Sequence, residues 1–247
     1  MTQSPTLLNS PPVRYLPAAE IERRAARLLA DYQQQRGAAD VLPVPIDEIV
    51  ELHLQLRLEI TNLSQRLAIP GVLGALYREN RCIAIDASLD PNNHPAQEGR
   101  YRFTLAHEVG HWQLHRSIGG VTLLELATEQ ITAEQRVRTH QRIELQANLF
   151  ASCLLMPRRL VRAVWRELRG TDGPFCVEEA AKGGDYLIMR TILRSTLGSE
   201  RDAEDVLLER FSRPFARRFR VSGEAMRIRL EQLGLIVRPE AAIHSDS

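Results

Sequence analysis

Two histidines four residues apart, His107 and His111, enclose Glu108 in a stretch with helical periodicity. Side chains four positions apart on an α-helix lie on one face, one turn above each other. Two imidazoles in this register reach a single cation, and Glu108, about 100° around the helix, lies beside a water bound to that cation. A catalytic metal needs a further protein ligand, so the chain must also pack a second element against this helix.

The third ligand has to come from elsewhere in the chain. The position six residues beyond His111 is Ser117 rather than a third histidine, and His115 only continues up the same straight helix. We therefore expect a carboxylate from a second helix, and Glu144 is the candidate. The alternative interpretation is that Glu144 is an ordinary solvated carboxylate. His140, one turn before Glu144, is a rival ligand.

The sequence around Glu144 favours a helix that packs closely on the histidine helix. Ala147 and Ala151 share a face with Glu144, and such small side chains permit a close approach. Asn148, one turn after Glu144, can accept a hydrogen bond from the distal ring nitrogen of either histidine. Histidine ligands almost always have such a partner.

The pattern of apolar residues predicts an α+β fold that is mainly helical with a small antiparallel sheet. Alternation predicts a strand over 54–60 and a hairpin of strands at 71–77 and 81–86. Helical spacing predicts helices over 18–36, 46–54, 102–116, 132–156, 157–168, 202–220 and 222–233. Segment 170–184 is punctuated by glycines and receives no assignment.

Composition excludes several classes of protein. With 32 basic and 31 acidic side chains the net charge is +1, which gives no overall field toward nucleic acid or anionic lipid. No run approaches the ~18 apolar residues of a membrane span, and the first residues have no signal-peptide core. Three scattered cysteines suit a reducing compartment. We therefore expect a cytoplasmic protein without membrane association.

Several segments resemble the ImmA/IrrE family of metallopeptidases. The run RFTLAHEVGH at 102–111, followed by LH at 114–115, is similar to the active-site segment of that family. ELQANLFA at 144–151 and LLMP at 154–157 continue the resemblance in the same order. Region 219–230 also fits, so the resemblance extends from about residue 21 towards residue 235.

The resemblance implies a cytoplasmic, gluzincin-like peptidase of α+β type. His107, His111 and Glu144 match the metal ligands of the family, and Glu108 matches its catalytic glutamate. The implied cofactor is one Zn²⁺ per chain, although two histidines and a carboxylate also suit Mn²⁺. Family members typically cleave a helix-turn-helix repressor and so switch on mobile-element or stress-response genes. The expected partner is therefore a protein substrate of this kind.

Peptide hydrolysis also needs a donor for the developing oxyanion. The sequence offers four candidates without choosing among them: Tyr77, Tyr101, His115 and His140. His115 has a structural alternative near the end of its helix, where an imidazolium suits the helix dipole. A substrate strand can add to the edge of the hairpin within 71–86.

The C-terminal helices have two interpretations. Eight arginines and four acids between positions 205 and 238, with a short corner between two helices, fit a helix-turn-helix element that binds DNA or a partner. An aromatic stripe instead favours a packing subdomain, which we prefer.

The alternatives to a peptidase are a binding regulator with a non-proteolytic metal site and the toxin of a two-gene module. The expected organisation is a disordered leader (1–17), peptidase domain (18–170), connecting segment (171–200), helix-turn-helix-like subdomain (201–237) and tail (238–247).

Overall fold

The computed structural model describes residues 15–37, 40–115, 133–177, 184–197 and 199–238. The chain divides into two compact units between Leu155 and Met156. Most of the predicted leader and tail lie outside the described residues. Within the described part of the chain, no helix combines the length and apolar character that a membrane crossing requires.

The first unit begins with two helical segments that the sequence predicted. Helix α1, Ala18–Arg36, buries the predicted stripe from Ile21 to Tyr32. The predicted helix at 46–54 is a short α2, Ile46–Glu48, that continues as a π-helical turn, Ile49–His53.

The sheet of the first unit is mixed, which corrects the antiparallel sheet expected from the sequence. Strands β2, Gly74–Tyr77, and β3, Cys82–Asp86, form the predicted antiparallel hairpin. Strand β1, Arg57–Thr61, pairs with β3 in parallel, giving the order β1-β3-β2. The connection from β1 to β3 includes helix α3, Leu63–Leu67, and strand β2. Such a crossover is long enough to return the chain in the same direction.

Asp86 links the end of β3 to α3. Its carboxylate accepts hydrogen bonds from the backbone N–H of Leu63 at 2.8 Å, and from the backbone N–H and hydroxyl of Ser88 at 3.0 and 2.6 Å. Burial raises the pKa of this carboxyl, but the hydrogen bonds outweigh it, so the net pKa is lowered. A carboxylate held this way stabilises the fold only while it is ionised.

We expect Asp86→Ala to lower the free energy of unfolding by about 1–3 kcal/mol at pH 7, because the N–H groups lose their acceptor. The folded-state pKa is the lower one, so this stabilisation is present above the unfolded-state pKa of about 4 and is lost as pH falls through the folded value. Urea unfolding near pH 7 and again near pH 3.5 measures both effects. The exposed Asp31 provides the control Asp31→Ala. An equal loss at both pH values would contradict the assignment.

Helices α4, Glu98–Leu114, and α5, Ala133–Leu155, pack tightly against each other and form the centre of the first unit. They approach each other closely at Gly110, where an added Cβ would lie 3.0 Å from the carbonyl oxygen of Ala147 and 3.1 Å from its Cα. The small residues expected on α5 are therefore matched by a glycine on α4. Any larger side chain at position 110 would push α5 away.

The second unit consists of helices around an aromatic core. Its helices are α6, Arg158–Arg169, α7, Gly184–Leu197, α8, Glu200–Phe219, and α9, Gly223–Gln232. Trp165 stacks on Phe215 with ring centroids 5.2 Å apart. A parallel pair of two-residue strands, β4 at Phe175–Cys176 and β5 at Ile236–Val237, completes it.

The predicted helices of this unit are present to within a few residues. Helix α7, however, lies where the sequence was interpreted as a connecting segment. The corner between α8 and α9 is capped by Ser222, whose hydroxyl accepts the backbone N–H of Ala225 at 3.0 Å. The helix-turn-helix likeness of this pair stays a prediction.

Candidate metal centre

Three side chains from α4 and α5 converge on one point. Nε2 of His107 lies 2.9 Å from Nε2 of His111. The Glu144 carboxylate oxygens lie 3.2 Å from Nε2 of His107 and 3.4 Å from Nε2 of His111. The candidate ligand named from the sequence, Glu144, is therefore the one that the fold brings to the two histidines.

The spacing of these atoms suits a small tetrahedral cation. Ligand bonds of 2.0–2.1 Å in a tetrahedron separate neighbouring ligand atoms by about 3.3 Å. Two imidazoles and one carboxylate also form the donor set of catalytic zinc sites, in which the fourth position stays open. Among the described residues, the cluster of side chains that could hold a metal ion consists of these three. The residues present therefore fit a metal ion.

Burial and charge set the protonation of the cluster. Burial raises the pKa of the Glu144 carboxyl, but the imidazoles of His107 and His111 more than offset this and leave the pKa lowered. Burial, together with the neighbouring His107, lowers the pKa of His111 to about 3. An ionised carboxylate and a neutral imidazole are the forms in which Glu144 and His111 bind a metal. Burial lowers the pKa of His107, but the Glu144 and Glu108 carboxylates outweigh it and raise the pKa, so His107 binds a metal with release of a proton.

Asn148 holds the ring of His107. Nδ1 of His107 lies 2.9 Å from Oδ1 of Asn148, the contact expected from the spacing on α5. Since an amide oxygen only accepts, the ring nitrogen Nδ1 must donate, and Nε2 keeps its lone pair for the cation.

A second contact, which the sequence analysis missed, holds the ring of His111. Nδ1 of His111 lies 3.1 Å from Nδ1 of His115, and Nε2 of His115 lies 3.0 Å from Oε1 of Gln146. His115 therefore uses both ring nitrogens inside the protein. The sequence feature that could have indicated this contact is Gln146, which lies beside Ala147 on the apolar face of α5, because a buried amide requires a hydrogen-bond partner.

Glu108 points into the same region from a buried position. Its side chain is 6% exposed, and burial raises its pKa to about 7; nearby Glu144 adds to the rise and His107 opposes it. The carboxylate lies against β2, since a Cβ on Gly74 would be 2.7 Å from its Oε1 and 2.7 Å from Cγ2 of Thr104. A glycine is thus needed where the strand passes the glutamate.

We expect Gly74→Ala to displace Glu108 and, if the site catalyses the peptide hydrolysis that the sequence resemblance implies, to slow it by about 10²-fold, the usual cost of shifting a reacting group by about 1 Å. Metal content should stay unchanged, because the ligands belong to α4 and α5. Elemental analysis and a rate measurement on the same preparation separate the two effects. Gly173→Ala is the matched control, since its Cβ would meet the hydroxyl oxygen of Thr171 at an ordinary 3.5 Å. A full rate in Gly74→Ala would show that the contact does not position Glu108.

The structure does not bring two of the proposed oxyanion donors to the cluster. Tyr77 lies on the sheet face opposite Gly74, where it packs against a hydrophobic cluster that contains Ala75. The guanidinium carbon of Arg66 lies 4.8 Å from the centre of its ring. The hydroxyl of Tyr101 donates a hydrogen bond to Asp47 at 2.5 Å. The pKa of Tyr101 is raised, mainly by burial and also by this hydrogen bond.

The two histidine candidates differ in their surroundings. Both ring nitrogens of His115 are engaged, as described above. His140 is half-buried one turn before Glu144, and the electrostatic interaction between the two contributes to the lowered pKa of the Glu144 carboxyl. His140 is the rival ligand predicted from the sequence, but the cluster consists of His107, His111 and Glu144 and does not include it.

The site combines two histidines one turn apart on a helix, a carboxylate from a second helix and a buried glutamate beside strand β2. This arrangement is typical of metallopeptidases of the zincin type. Residues 65–182 match the family model of the IrrE N-terminal-like peptidase domain. This match supports a metallopeptidase of the ImmA/IrrE family. A comparison with proteins of curated function found no match.

Proposed function

We propose that the protein is a zinc-dependent endopeptidase, in which His107, His111 and Glu144 hold one Zn²⁺ and Glu108 is the general base. The observation that carries the proposal is the convergence of three side chains, whose nitrogen and oxygen atoms lie 2.9–3.4 Å apart, together with a second, buried carboxyl group, that of Glu108. The match to a metallopeptidase family supports hydrolysis of a peptide bond as the reaction. Mn²⁺ is the second metal that this donor set suits.

The reaction divides between the metal and Glu108. A metal ion held by His107, His111 and Glu144 would supply Lewis acidity toward the scissile carbonyl and the attacking water. The Glu108 carboxylate accepts the proton of that water and later donates it to the leaving amine. Burial raises the pKa of the Glu108 carboxyl group, which makes it a better proton acceptor than an exposed glutamate. His140 is the remaining candidate for the oxyanion donor.

Strand β2 offers a place for the substrate. It pairs with β3 and lies at the edge of the sheet order β1-β3-β2. An extended peptide can add to this edge through main-chain hydrogen bonds, which demand little of its sequence. Because Gly74 brings the strand to Glu108, a peptide in this position would pass close to the general base.

The substrate we propose is a cytoplasmic helix-turn-helix repressor, whose cleavage would release mobile-element or stress-response genes. This follows the usual activity of the ImmA/IrrE family. A strand-addition mode is compatible with it only if the cleaved segment of the repressor is extended. We therefore expect the cleavage site in a linker or loop of the repressor.

The DNA-binding alternative receives less support, because several of the C-terminal arginines are paired within the second unit. Arg238 contacts Glu204 at 3.1 Å and Glu231 at 2.6 Å, and Arg227 contacts Glu231 at 3.2 Å. Arg229 is buried and donates to the carbonyl oxygen of Met156 at 3.0 Å. These arginines neutralise neighbouring groups rather than forming a free basic surface.

The experiment compares new protein N-termini in cells that express the wild-type protein or Glu108→Gln. We expect cleavage products of one or a few proteins, a repressor among them, in wild-type cells alone. Identical N-termini in both cultures would reject the endopeptidase. If the cellular effect survives in Glu108→Gln but is lost when Arg217 and Arg218 are replaced by alanine, the binding regulator is correct. A cleaved partner encoded beside the gene, with toxicity when it is absent, would identify a two-gene module.

A further inference from the structure

We infer that His115 and Gln146 form a hydrogen-bonded relay that decides which ring nitrogen of His111 carries the proton, so that Gln146 is a positioning residue for the metal site. The inference rests on the proposed metal-binding role of His111. It assigns a function to a glutamine that does not itself reach the ligand atoms.

The relay is a continuous chain of three buried side chains. Nδ1 of His111 is 3.1 Å from Nδ1 of His115, whose Nε2 is 3.0 Å from Oε1 of Gln146. The exposed fractions of His111, His115 and Gln146 are 2%, 2% and 5%. Water therefore has little access to these contacts, and each polar atom depends on its neighbour in the chain.

A neutral imidazole carries one N–H, so the hydrogen bonds of the relay run in one of two directions. When the amide oxygen of Gln146 accepts from Nε2 of His115, Nδ1 of His115 is left as an acceptor. It must then receive the N–H of Nδ1 of His111, and Nε2 of His111 keeps its lone pair. This is the direction that frees His111 to bind a cation.

The opposite direction blocks the metal. If the amide of Gln146 turned to donate its NH₂ group, Nε2 of His115 would accept and Nδ1 of His115 would donate to His111. The proton of His111 would then lie on Nε2, which points at Nε2 of His107 and the Glu144 carboxylate. The orientation of one amide thus selects between a form that binds metal and a form that does not.

The two ligand histidines are held by different devices on one helix. Asn148 on α5 accepts directly from His107, whereas Gln146, two residues earlier, acts on His111 through His115. Helix α5 therefore provides one ligand and controls the tautomers of the other two. Partners that orient metal-binding histidines typically account for 10–100-fold in metal affinity.

Two substitutions separate the relay from simple packing. Gln146→Glu keeps an acceptor for Nε2 of His115, whereas Gln146→Met has a similar size and no such acceptor. We expect Gln146→Met to weaken zinc binding by about 10–100-fold and Gln146→Glu to keep it within a few-fold of the wild type, as measured by competition with a chromophoric chelator. Gln141→Met, at an exposed position of the same helix, is the matched control.

A direct readout is the tautomer of His111 in the metal-free protein, from long-range ¹H–¹⁵N spectra of the imidazoles. We expect protonation at Nδ1 in the wild type and in Gln146→Glu, and a mixture of tautomers in Gln146→Met. Protonation of His111 at Nε2 in the wild type would overturn the relay, as would unchanged zinc affinity in a folded Gln146→Met.

The two proposals fail separately. A wild-type protein that binds no zinc would reject the proposed function, while the spectra would still decide the relay. If Gln146→Met does not fold, the wild-type spectrum and the zinc affinity of Gln146→Glu remain decisive. A large loss of affinity in Gln146→Glu, despite its retained acceptor, would count against the relay.

Discussion

Replacement of Glu108 by glutamine is expected to slow peptide hydrolysis by about 10²–10⁴-fold, the usual contribution of a general base, with zinc still bound. The amide has nearly the shape of the carboxylate but cannot accept the proton of the attacking water. The proposed ligands are unchanged, because His107, His111 and Glu144 keep their positions on α4 and α5. The measurement is the rate of cleavage of the protein identified from its new N-terminus, with metal content determined on the same samples.

The buried position of Glu108 adds a second expectation for the metal-free protein. Its pKa is raised in the fold, so its ionised form is destabilising above the unfolded-state value. Glu108→Gln should therefore unfold at a temperature no lower than the wild type near pH 8. Glu79→Gln, in the exposed turn of the hairpin, controls for the chemical change. A variant that keeps more than about a tenth of the wild-type rate would remove Glu108 from the mechanism.

Replacement of Glu144 by alanine is expected to cost most of the bound metal, raising the zinc dissociation constant more than about 100-fold. Only two imidazoles would remain, and the packing of α5 at Gly110 and Ala147 would be untouched. Elemental analysis of wild type and variant, purified side by side, gives the stoichiometry. About one equivalent in the wild type and little in Glu144→Ala is the expected pair of values.

His140→Ala is the informative control for this experiment. His140 precedes Glu144 by one turn on α5 and was the rival ligand from the sequence. We expect His140→Ala to retain the metal and, if it is the oxyanion donor, to lose activity. Loss of metal from His140→Ala together with retention in Glu144→Ala would reverse the ligand assignment.

The part of the site that the sequence could predict is the part encoded by local spacing. His107 and His111 lie one turn apart on α4, and Glu144 and Asn148 one turn apart on α5, because helical periodicity fixes such relations without any tertiary information. Pairing of the two helices followed from the chemistry, since two imidazoles need a third ligand.

Other features depended on contacts between distant segments and could not be predicted. The parallel pairing of β1 with β3 is set by how the intervening crossover folds back, which alternation within each strand does not encode. The same holds for Gly74 beneath Glu108 and for Gln146 beneath His115, where the partners lie more than 30 residues apart.

Counting charges could not decide between the two interpretations of the C-terminal helices. The excess of arginine between 205 and 238 is compatible with a basic surface, but Arg238 and Arg227 share the acidic partners Asp205 and Glu231, and Arg238 also contacts Glu204 just outside that interval. Pairing is a property of the folded unit rather than of composition.

The dependence of the cluster on α5 links metal binding to the integrity of the helix pair. If α5 separated from α4, the carboxylate ligand and the contacts that orient both imidazoles would be lost together. Any cation bound to the cluster must then stabilise this pair by mass action, by about 2.7 kcal/mol at a free concentration 100 times its dissociation constant. The thermal midpoint of the first unit should consequently rise with zinc concentration, and availability of the metal would govern the lifetime of the enzyme as well as its activity.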